Sequence, residues 1–359
     1  MAIRLGQRLG LHLSSVASNT CRGPVETEIG IRIWWQILIM DSRSTQVSRA
    51  QVQPISVAPG YPLPSDISDT RAGESSTSHS DTSKTGAGSM VFCLVRYEIG
   101  LFFAANAVKL RSPNSSIEEK DSLIDEIQDR LESKYLQYCD TAIPLHLFAI
   151  GSAHSAICKM RLMTHHPTQY PDNGASLPKA EKDMLFELSL KMIDYDVLGY
   201  TNDCLSKFQW HMETYFQLDA FVFMLVESCN QDPGSQVDTA WQLVPEVFKY
   251  HPELLSDSSK QLHIELWKLT VEAWSARLAM LKKHKLPGVT APPVVLKLQE
   301  NLSERHRLQN AASHPSSATK VSFQKGISPG PSDPGKSTFD SGLATEEDLL
   351  DWDHWVNLV

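Results

Sequence analysis

One run constrains the fold more than any other: Ile33–Met40, inside "IRIWWQILIMDSR", is apolar except at Gln36. A membrane helix needs about eighteen or more apolar residues, and no run in the chain reaches that length. A starting Pro24 followed by early acids favours a helix of about seventeen residues, although a short buried strand is the alternative for such a run. Successive tryptophans face about 100° apart on a helix, so we predict a core helix buried over a wide arc.

The remainder of the chain shows helical rather than strand periodicity. Ile124, Ile127 and Leu131 recur at helical spacing after Ser115 or Ser116, either of which suits an N-cap. Beyond the first run, no segment alternates with period two, and no repeat of 20–50 residues stands out. We therefore predict an all-α fold, an irregular multi-helix domain of about eight to ten helices.

Composition divides the chain into helical and low-complexity parts. Stretches rich in Pro, Ser, Thr and Gly bury too little apolar surface to offset chain entropy, so they predict disorder. The first helix has no capping residue before Ile3, and we expect the chain to begin partway through a larger fold. The predicted parts are the start of a helical domain (1–50), a disordered loop (51–89), the remainder of the domain (90–286), a disordered linker (287–344) and an acidic-aromatic segment (345–359).

Charge and cysteine spacing exclude several classes of protein. The net charge is −9, which disfavours a free-standing nucleic-acid binder with a basic face. Residues 341–359 hold five acids and no Lys or Arg, so they carry −5 and the rest carries −4. The six cysteines are at least nineteen positions apart, which leaves no paired zinc-ligand spacing. Apolar neighbours predict that Cys93 and Cys229 are buried thiols.

Several motifs occur in the order found in one known family. "RLGQRLGLH", "IRIWWQILIMDSR", "PLPSDISD", "FCLVRYEIG", "KYLQYCDTAIPLH" and "FQWHMETYFQLDAFVFMLVESC" follow one another along the chain. Together they resemble the middle homology region of fungal zinc-cluster transcription factors, over roughly Ala2 to Tyr250. The resemblance implies an all-α regulatory domain of a nuclear transcription factor, often one that controls a secondary-metabolite gene cluster.

The chain also departs from that family. The family's six-cysteine zinc cluster, basic linker and coiled coil have no counterpart here, so we expect no cofactor, and the resemblance does not predict DNA contact by this chain. The first part of the middle homology region is missing as well, and "IRIWWQ" lacks the two arginines usual before the tryptophans. If a missing half normally covers this helix, Trp34 or Trp35 should be partly exposed.

No catalytic set is visible, so we predict that the chain is not an enzyme. G-x-S-x-G, P-loop, H-E-x-x-H and Rossmann glycine patterns are absent from the sequence. His165 and His166, with His154 nearby, lack an acid or Cys at ligand spacing, and a helix end that favours imidazolium explains them better than a metal. "LKKHK" (281–285) is better explained as a solvated helix end than as a nuclear-localisation signal.

A small-molecule effector pocket is a further functional hypothesis, weaker than the two main ones given below. Trp210, His211, Tyr215 and Trp241 could line a small-molecule site between helices, although a core contact explains the same residues. Asp219 lies in the apolar stretch that follows. A buried carboxylate is costly without a partner, so we hypothesise that Asp219 makes a structural hydrogen bond or ion pair.

The strongest functional signal from composition is "EEDLLDWDHWVNLV" at 346–359. Acids interleaved with bulky apolar residues suit a segment that folds on binding and lays one helical face into a partner groove. A helix that docks back on the domain is the alternative. The predicted contact residues are Leu349, Leu350, Trp352, Trp355, Val356 and Leu358.

These observations lead to two main functional hypotheses. The first is a transcriptional regulator of the fungal zinc-cluster class whose tail recruits a coactivator or mediator-type protein. The second is an interaction protein that does not bind DNA and titrates or modulates a full-length relative, as a homo- or heterodimer. Neither hypothesis involves a membrane, and both place the chain in the nucleus through the resemblance.

Overall fold

A computed structural model describes most of the helical part of the chain. Within the described ranges every regular element is a helix and no strand occurs, which confirms the all-α prediction. The described residues are 2–13, 23–48, 61–65, 87–112, 115–165, 177–213, 216–256 and 260–313.

These ranges contain ten helices of seven residues or more and two single-turn α-helices. Short 3₁₀ helices at Leu136–Tyr138 and Asp203–Phe208 connect some of them. The α-helices are α1 (Ala2–Arg8), α2 (Pro24–Ser48), α3 (Val91–Arg111), α4 (Ile117–Lys134), α5 (Pro144–Thr164), α6 (Lys179–Thr201), α7 (Gln209–Met212), α8 (Leu218–Asn230), α9 (Ser235–Tyr250), α10 (Glu253–Ser256), α11 (Gln261–Lys283) and α12 (Pro293–Ser313).

Local sequence explains where several helices begin. Ser116 accepts a hydrogen bond from the Glu119 amide, and the Glu119 carboxylate accepts one from the Ser116 amide. This capping box satisfies two amides that the first turn of α4 leaves unpaired. Pro144 stands in the first turn of α5, where its missing N–H costs nothing.

Apolar side chains form two cores, which share α5. The N-terminal core lies among α2, α3, α4 and the start of α5, around residues such as Trp34, Ile124 and Ala149. The C-terminal core lies among α6, α8, α9, α11 and α12, around residues such as Phe186 and Phe221. Helix α8 is buried from Ala220 to Ser228, so it is the central element of the C-terminal core.

The run that opened the sequence analysis is a core helix, as predicted, but the predicted exposure of a tryptophan is wrong. Trp34 is 1% exposed and Trp35 is 2% exposed. Tyr61 packs edge-on against Trp34 with ring centroids 5.5 Å apart, and Gly6 of α1 lies against the same indole. Trp35 stacks on Tyr97 at 5.1 Å. Residues within this chain therefore cover both indoles.

The predicted disordered loop (51–89) is wrong for residues 61–65. The Trp35 indole donates to the Pro62 carbonyl oxygen at 2.8 Å, and the Ser65 amide donates to the Glu28 carboxylate at 3.1 Å. These two bonds hold residues 61–65 against α2. All four residues that form them are at least half-buried. Apart from residues 87–89, the rest of the predicted loop lies outside the described residues.

The predicted linker (287–344) is wrong for its first part, which contains α12. Val295 and Leu298 on this helix are completely buried and belong to the C-terminal core. The helix starts at Pro292–Pro293, and its apolar residues repeat at helical spacing. The Pro- and Ser-rich composition that predicted a linker begins only after Ser313. Residues 314–344 lie outside the described residues.

Candidate functional site

The residues of the predicted effector pocket fall into two different aromatic groups. His211 on α7 lies edge-on to Phe92 at 5.3 Å and to Phe148 at 5.6 Å. Phe148 in turn stacks on Phe208, with centroids 4.6 Å apart and rings nearly parallel. Trp210 is 67% exposed. This group closes the N-terminal core beside α3 and α5.

Trp241 belongs to a separate group on the C-terminal core. Its ring packs edge-on against Trp274 at 4.8 Å, and the Arg277 guanidinium lies within 6 Å of both rings. Arg277 also donates to the Val237 carbonyl and to the Asp238 carboxylate. The indole N–H of Trp241 and Nε of Arg277 are buried without a hydrogen-bond partner.

The effector pocket therefore stays a prediction. Tyr215, its fourth residue, lies outside the described residues. The contacts of His211 and Trp241 are those of well-packed cores, and each ring is surrounded by different partners. The sequence pattern identified these aromatic residues as a group, but it could not show that they pack against two different cores.

His165 joins three helices through carboxylates. Its Nδ1 lies 2.6 Å from Glu181 on α6, and its Nε2 lies 2.9 Å from Asp121 on α4. Arg161, one turn earlier on α5, donates to Asp125 at 2.5 Å. The cluster is a structural tie between α4, α5 and α6.

The neighbouring histidines give no metal site in the described part of the chain. His154 Nδ1 lies 3.0 Å from the Tyr195 hydroxyl, and His166 lies outside the described residues. Among the residues that the structure describes, no group of His, Cys, Asp and Glu could hold a metal ion.

Sequence analysis missed a second buried histidine, His251, which ends α9. Its Nε2 lies 2.7 Å from Asp196 Oδ2, its Nδ1 lies 3.3 Å from Glu253, and Phe216 covers its ring at 4.0 Å. Burial lowers the pKa of His251, but the hydrogen bond and charge of Asp196, with the charge of Glu253, outweigh burial and raise it. Only the tertiary fold brings Asp196 to this site, so no local pattern could reveal it.

Asp219 is half-buried in the first turn of α8, and the hypothesised partner is not observed. Within the described ranges Asp219 makes no hydrogen bond or ion pair. Burial raises the pKa of its carboxyl, and the positive charge of Lys159 opposes this rise. Its position in the first turn is favourable for a carboxylate, because the helix dipole is positive there.

The two cysteines that we expected to be buried are only half-buried. Burial still raises the pKa of the Cys93 thiol and raises that of Cys229 to about 12. Cys158 is the buried thiol among the described cysteines, all of which are free. Raised thiol pKa values make these side chains poor nucleophiles at neutral pH.

Two surfaces and one undescribed segment remain as interaction candidates. Helix α2 exposes Ile29, Ile33 and Met40, and α11 ends in the exposed Lys282 and Lys283. The lysines complement the negative end of the helix dipole, as expected for a solvated helix end. None of the helices that the structure describes is long and apolar enough to cross a membrane. The predicted contact residues of the tail all lie outside the described residues.

Sequence relatives indicate the class of protein to which this helical body is similar. The chain is 31% identical, over its whole length, to the aurofusarin cluster transcription factor of Gibberella zeae, of which it covers 57%. It is 25% identical, over 98% of its length, to the pyriculol/pyriculariol biosynthesis cluster transcription factor 1 of Pyricularia oryzae, of which it covers 49%.

Another relative is named a C6 finger domain transcription factor. The C6 finger domain transcription factor nscR of Trichophyton verrucosum is 25% identical over 73% of this chain, which covers 41% of that protein. The chain is therefore similar, over most or all of its length, to fungal transcription factors that include a C6 finger regulator. It spans about half the length of these curated relatives. No protein-family profile matches it, and no solved structure matches it significantly.

Proposed function

We propose that this chain regulates transcription of a secondary-metabolite biosynthetic gene cluster in the nucleus. The observation that supports this most is the match of its whole length to a regulator named for the aurofusarin cluster. A second regulator, named for pyriculol and pyriculariol biosynthesis, aligns over nearly the same length. Because the first alignment covers the whole chain, it includes the residues of the tail.

In this proposal the helical body is a scaffold and residues 345–359 recruit a coactivator. The acids keep the segment hydrated when it is free, while the leucines and tryptophans supply the contact area when it binds as a helix. Aromatic anchors of this kind commonly dominate the affinity of such interfaces, at about 2 kcal/mol or more for each hot-spot residue. DNA contact would come from a partner or from sequence outside the matched half of the relatives.

Gene deletion tests this proposal. Deleting the gene in its source organism should lower transcripts of neighbouring biosynthetic genes several-fold, and the wild-type gene should restore them. A gene carrying Trp352→Ala with Trp355→Ala should restore the protein but not the transcripts. Unchanged transcripts after deletion would contradict a regulatory role. A rise after deletion would favour the second hypothesis, in which the chain titrates an activator.

A further inference from the structure

A cleft of about 470 Å³ opens where the end of α3 meets the first two turns of α4. This volume lies within the range of about 300–1,000 Å³ that is typical of sites for small molecules. Lys109, in the last turn of α3, forms one wall, and residues between 115 and 123 form the other. None of the residues of the predicted effector pocket lines this cleft.

Lys120 is the unusual residue of the cleft because its side chain lines it and yet the residue is only 3% exposed. A lysine is almost never buried to this extent unless its ammonium is paired, since the charge loses its hydration in the interior. Within the described ranges the Lys120 ammonium has neither a hydrogen-bond partner nor an ion-pair partner. This arrangement points to an acceptor that enters the cleft from outside.

The two glutamates of the cleft are engaged elsewhere. The Glu119 carboxylate accepts a hydrogen bond from the Ser116 amide at 3.2 Å, as part of the capping box of α4. A hydrogen bond from its own backbone amide, followed by one from Ser116, holds the pKa of the Glu118 carboxyl below its usual value. Both carboxylates therefore satisfy the start of α4, and the charge of Lys120 is left for a ligand.

The other donors of the cleft suit a phosphate group. Lys109 is exposed and brings a second ammonium from α3, which also has no partner among the described residues. Ser115 and Ser122 add two hydroxyls. A phosphate group offers three strong acceptor oxygens and a charge of about −1.5 to −2, so it can use two ammoniums and a hydroxyl together. The positive end of the α4 dipole also favours an anion at this place.

We propose that this cleft binds the phosphate group of a small anion, either inorganic phosphate or a phosphate monoester. Lys120 pairs with the phosphate from α4 and Lys109 pairs with it from α3, so the ligand links the two helices. Because only the folded state brings these lysines together, binding stabilises the N-terminal core. The site does not depend on the proposed role in transcription.

Titration of inorganic phosphate into the full-length chain tests the site, with the phosphorus NMR line width as the readout at constant ionic strength. The wild type should show saturable binding. Lys120→Met keeps a long apolar side chain but removes its charge, and it should weaken binding by about tenfold. Lys109→Met, at an exposed position, should weaken binding several-fold. Lys297→Met on the exposed side of α12 is the matched control and should leave binding unchanged.

A lack of saturable binding by the wild type would overturn the proposal, and so would equal binding by the wild type and both cleft variants. Unaltered helical circular dichroism would show that each variant folds, and the exposed Lys109→Met keeps the test valid if Lys120→Met does not fold. Glycerol phosphate as a second probe distinguishes the two sources of phosphate. Tighter binding than inorganic phosphate would identify a monoester as the ligand, and weaker binding would identify the free ion.

Thermal unfolding gives an independent readout. Phosphate should raise the midpoint of the wild type by more than that of Lys120→Met, because specific binding adds to a general salt effect that both chains share. Equal rises in the two midpoints would mean that phosphate acts only through the general effect, which would overturn the site.

Discussion

Buried histidines are the residues that tie this helical body together. His165 bridges Glu181 and Asp121, and His251 bridges Asp196 and Glu253. Both imidazoles are at least nine-tenths buried. At His251 the carboxylates beside the ring nitrogens favour the charged form and raise the pKa, because an ion is tolerated in a low-dielectric interior only when it is paired.

The raised pKa of His251 makes stability depend on pH. Because the folded state holds this proton more tightly than the unfolded chain, the stabilisation is fully present below a pH of about 6.5. It is lost as pH rises through the higher pKa of the folded state. The free energy of unfolding, measured by urea denaturation, should therefore fall as pH rises above about 6.5.

His251→Gln should remove much of that pH dependence and destabilise the body at pH 6 by about 3 kcal/mol, since it leaves the half-buried Asp196 without its partner. The matched control is His306→Gln on the exposed part of α12, which should change neither quantity. A His251→Gln variant that keeps the wild-type slope between pH 6 and 8 would show that this histidine is not protonated in the folded state.

At the scale of the element, periodicity predicted most helices and composition misplaced some boundaries. The spacing of Ile124, Ile127 and Leu131 predicted α4, and all three are buried. In α12 the same type of spacing was present, but nearby prolines and serines favoured a linker. The difference is one of context, because Val295 and Leu298 form structure only by packing on the C-terminal core.

Contacts made between distant segments were beyond prediction from sequence. The Trp35 bond to the Pro62 carbonyl crosses a segment whose composition predicted disorder. Helices α7 and α8 are separate, and residues 216–217 just before α8 are not helical. A tertiary contact such as the Trp35–Pro62 bond can override local propensity, which is a weak term of less than about 1 kcal/mol per residue.

The role of α12 can be tested by a pair of substitutions on one helix. Leu298 is completely buried, so Leu298→Ala should lower the free energy of unfolding by about 2–4 kcal/mol. Leu296 is 50% exposed, so Leu296→Ala should change it by no more than about 0.5 kcal/mol. Thermal or urea denaturation measures both. Equal effects would mean that α12 is not part of the C-terminal core.

At the scale of the whole molecule, the body is a scaffold of two cores joined through α5. Ala149 and Ala153 face the N-terminal core, while Cys158 and Leu162 further along the helix belong to the C-terminal core. Among the described residues, the histidines that follow α5 and α9 bridge carboxylates on neighbouring helices and form no catalytic constellation.

The structure also sharpens where the C-terminal segment should be separated from the body. The predicted helical domain ended at 286, so a fragment cut there would include α12. It would expose Val295 and Leu298, which the body normally buries. A fragment of residues 314–359 avoids this problem, because it begins directly after α12 ends at Ser313.

The most direct test of the central claim is a reporter assay on residues 314–359 fused to a heterologous DNA-binding domain. We predict reporter output several-fold above that of the bare domain, because the leucines and tryptophans recruit a coactivator. Trp352→Ala with Trp355→Ala should abolish this output, whereas the control Asn357→Ala should preserve it. Output equal to that of the bare domain, unchanged by the tryptophan substitutions, would contradict the assignment of this segment as the activating part of the regulator.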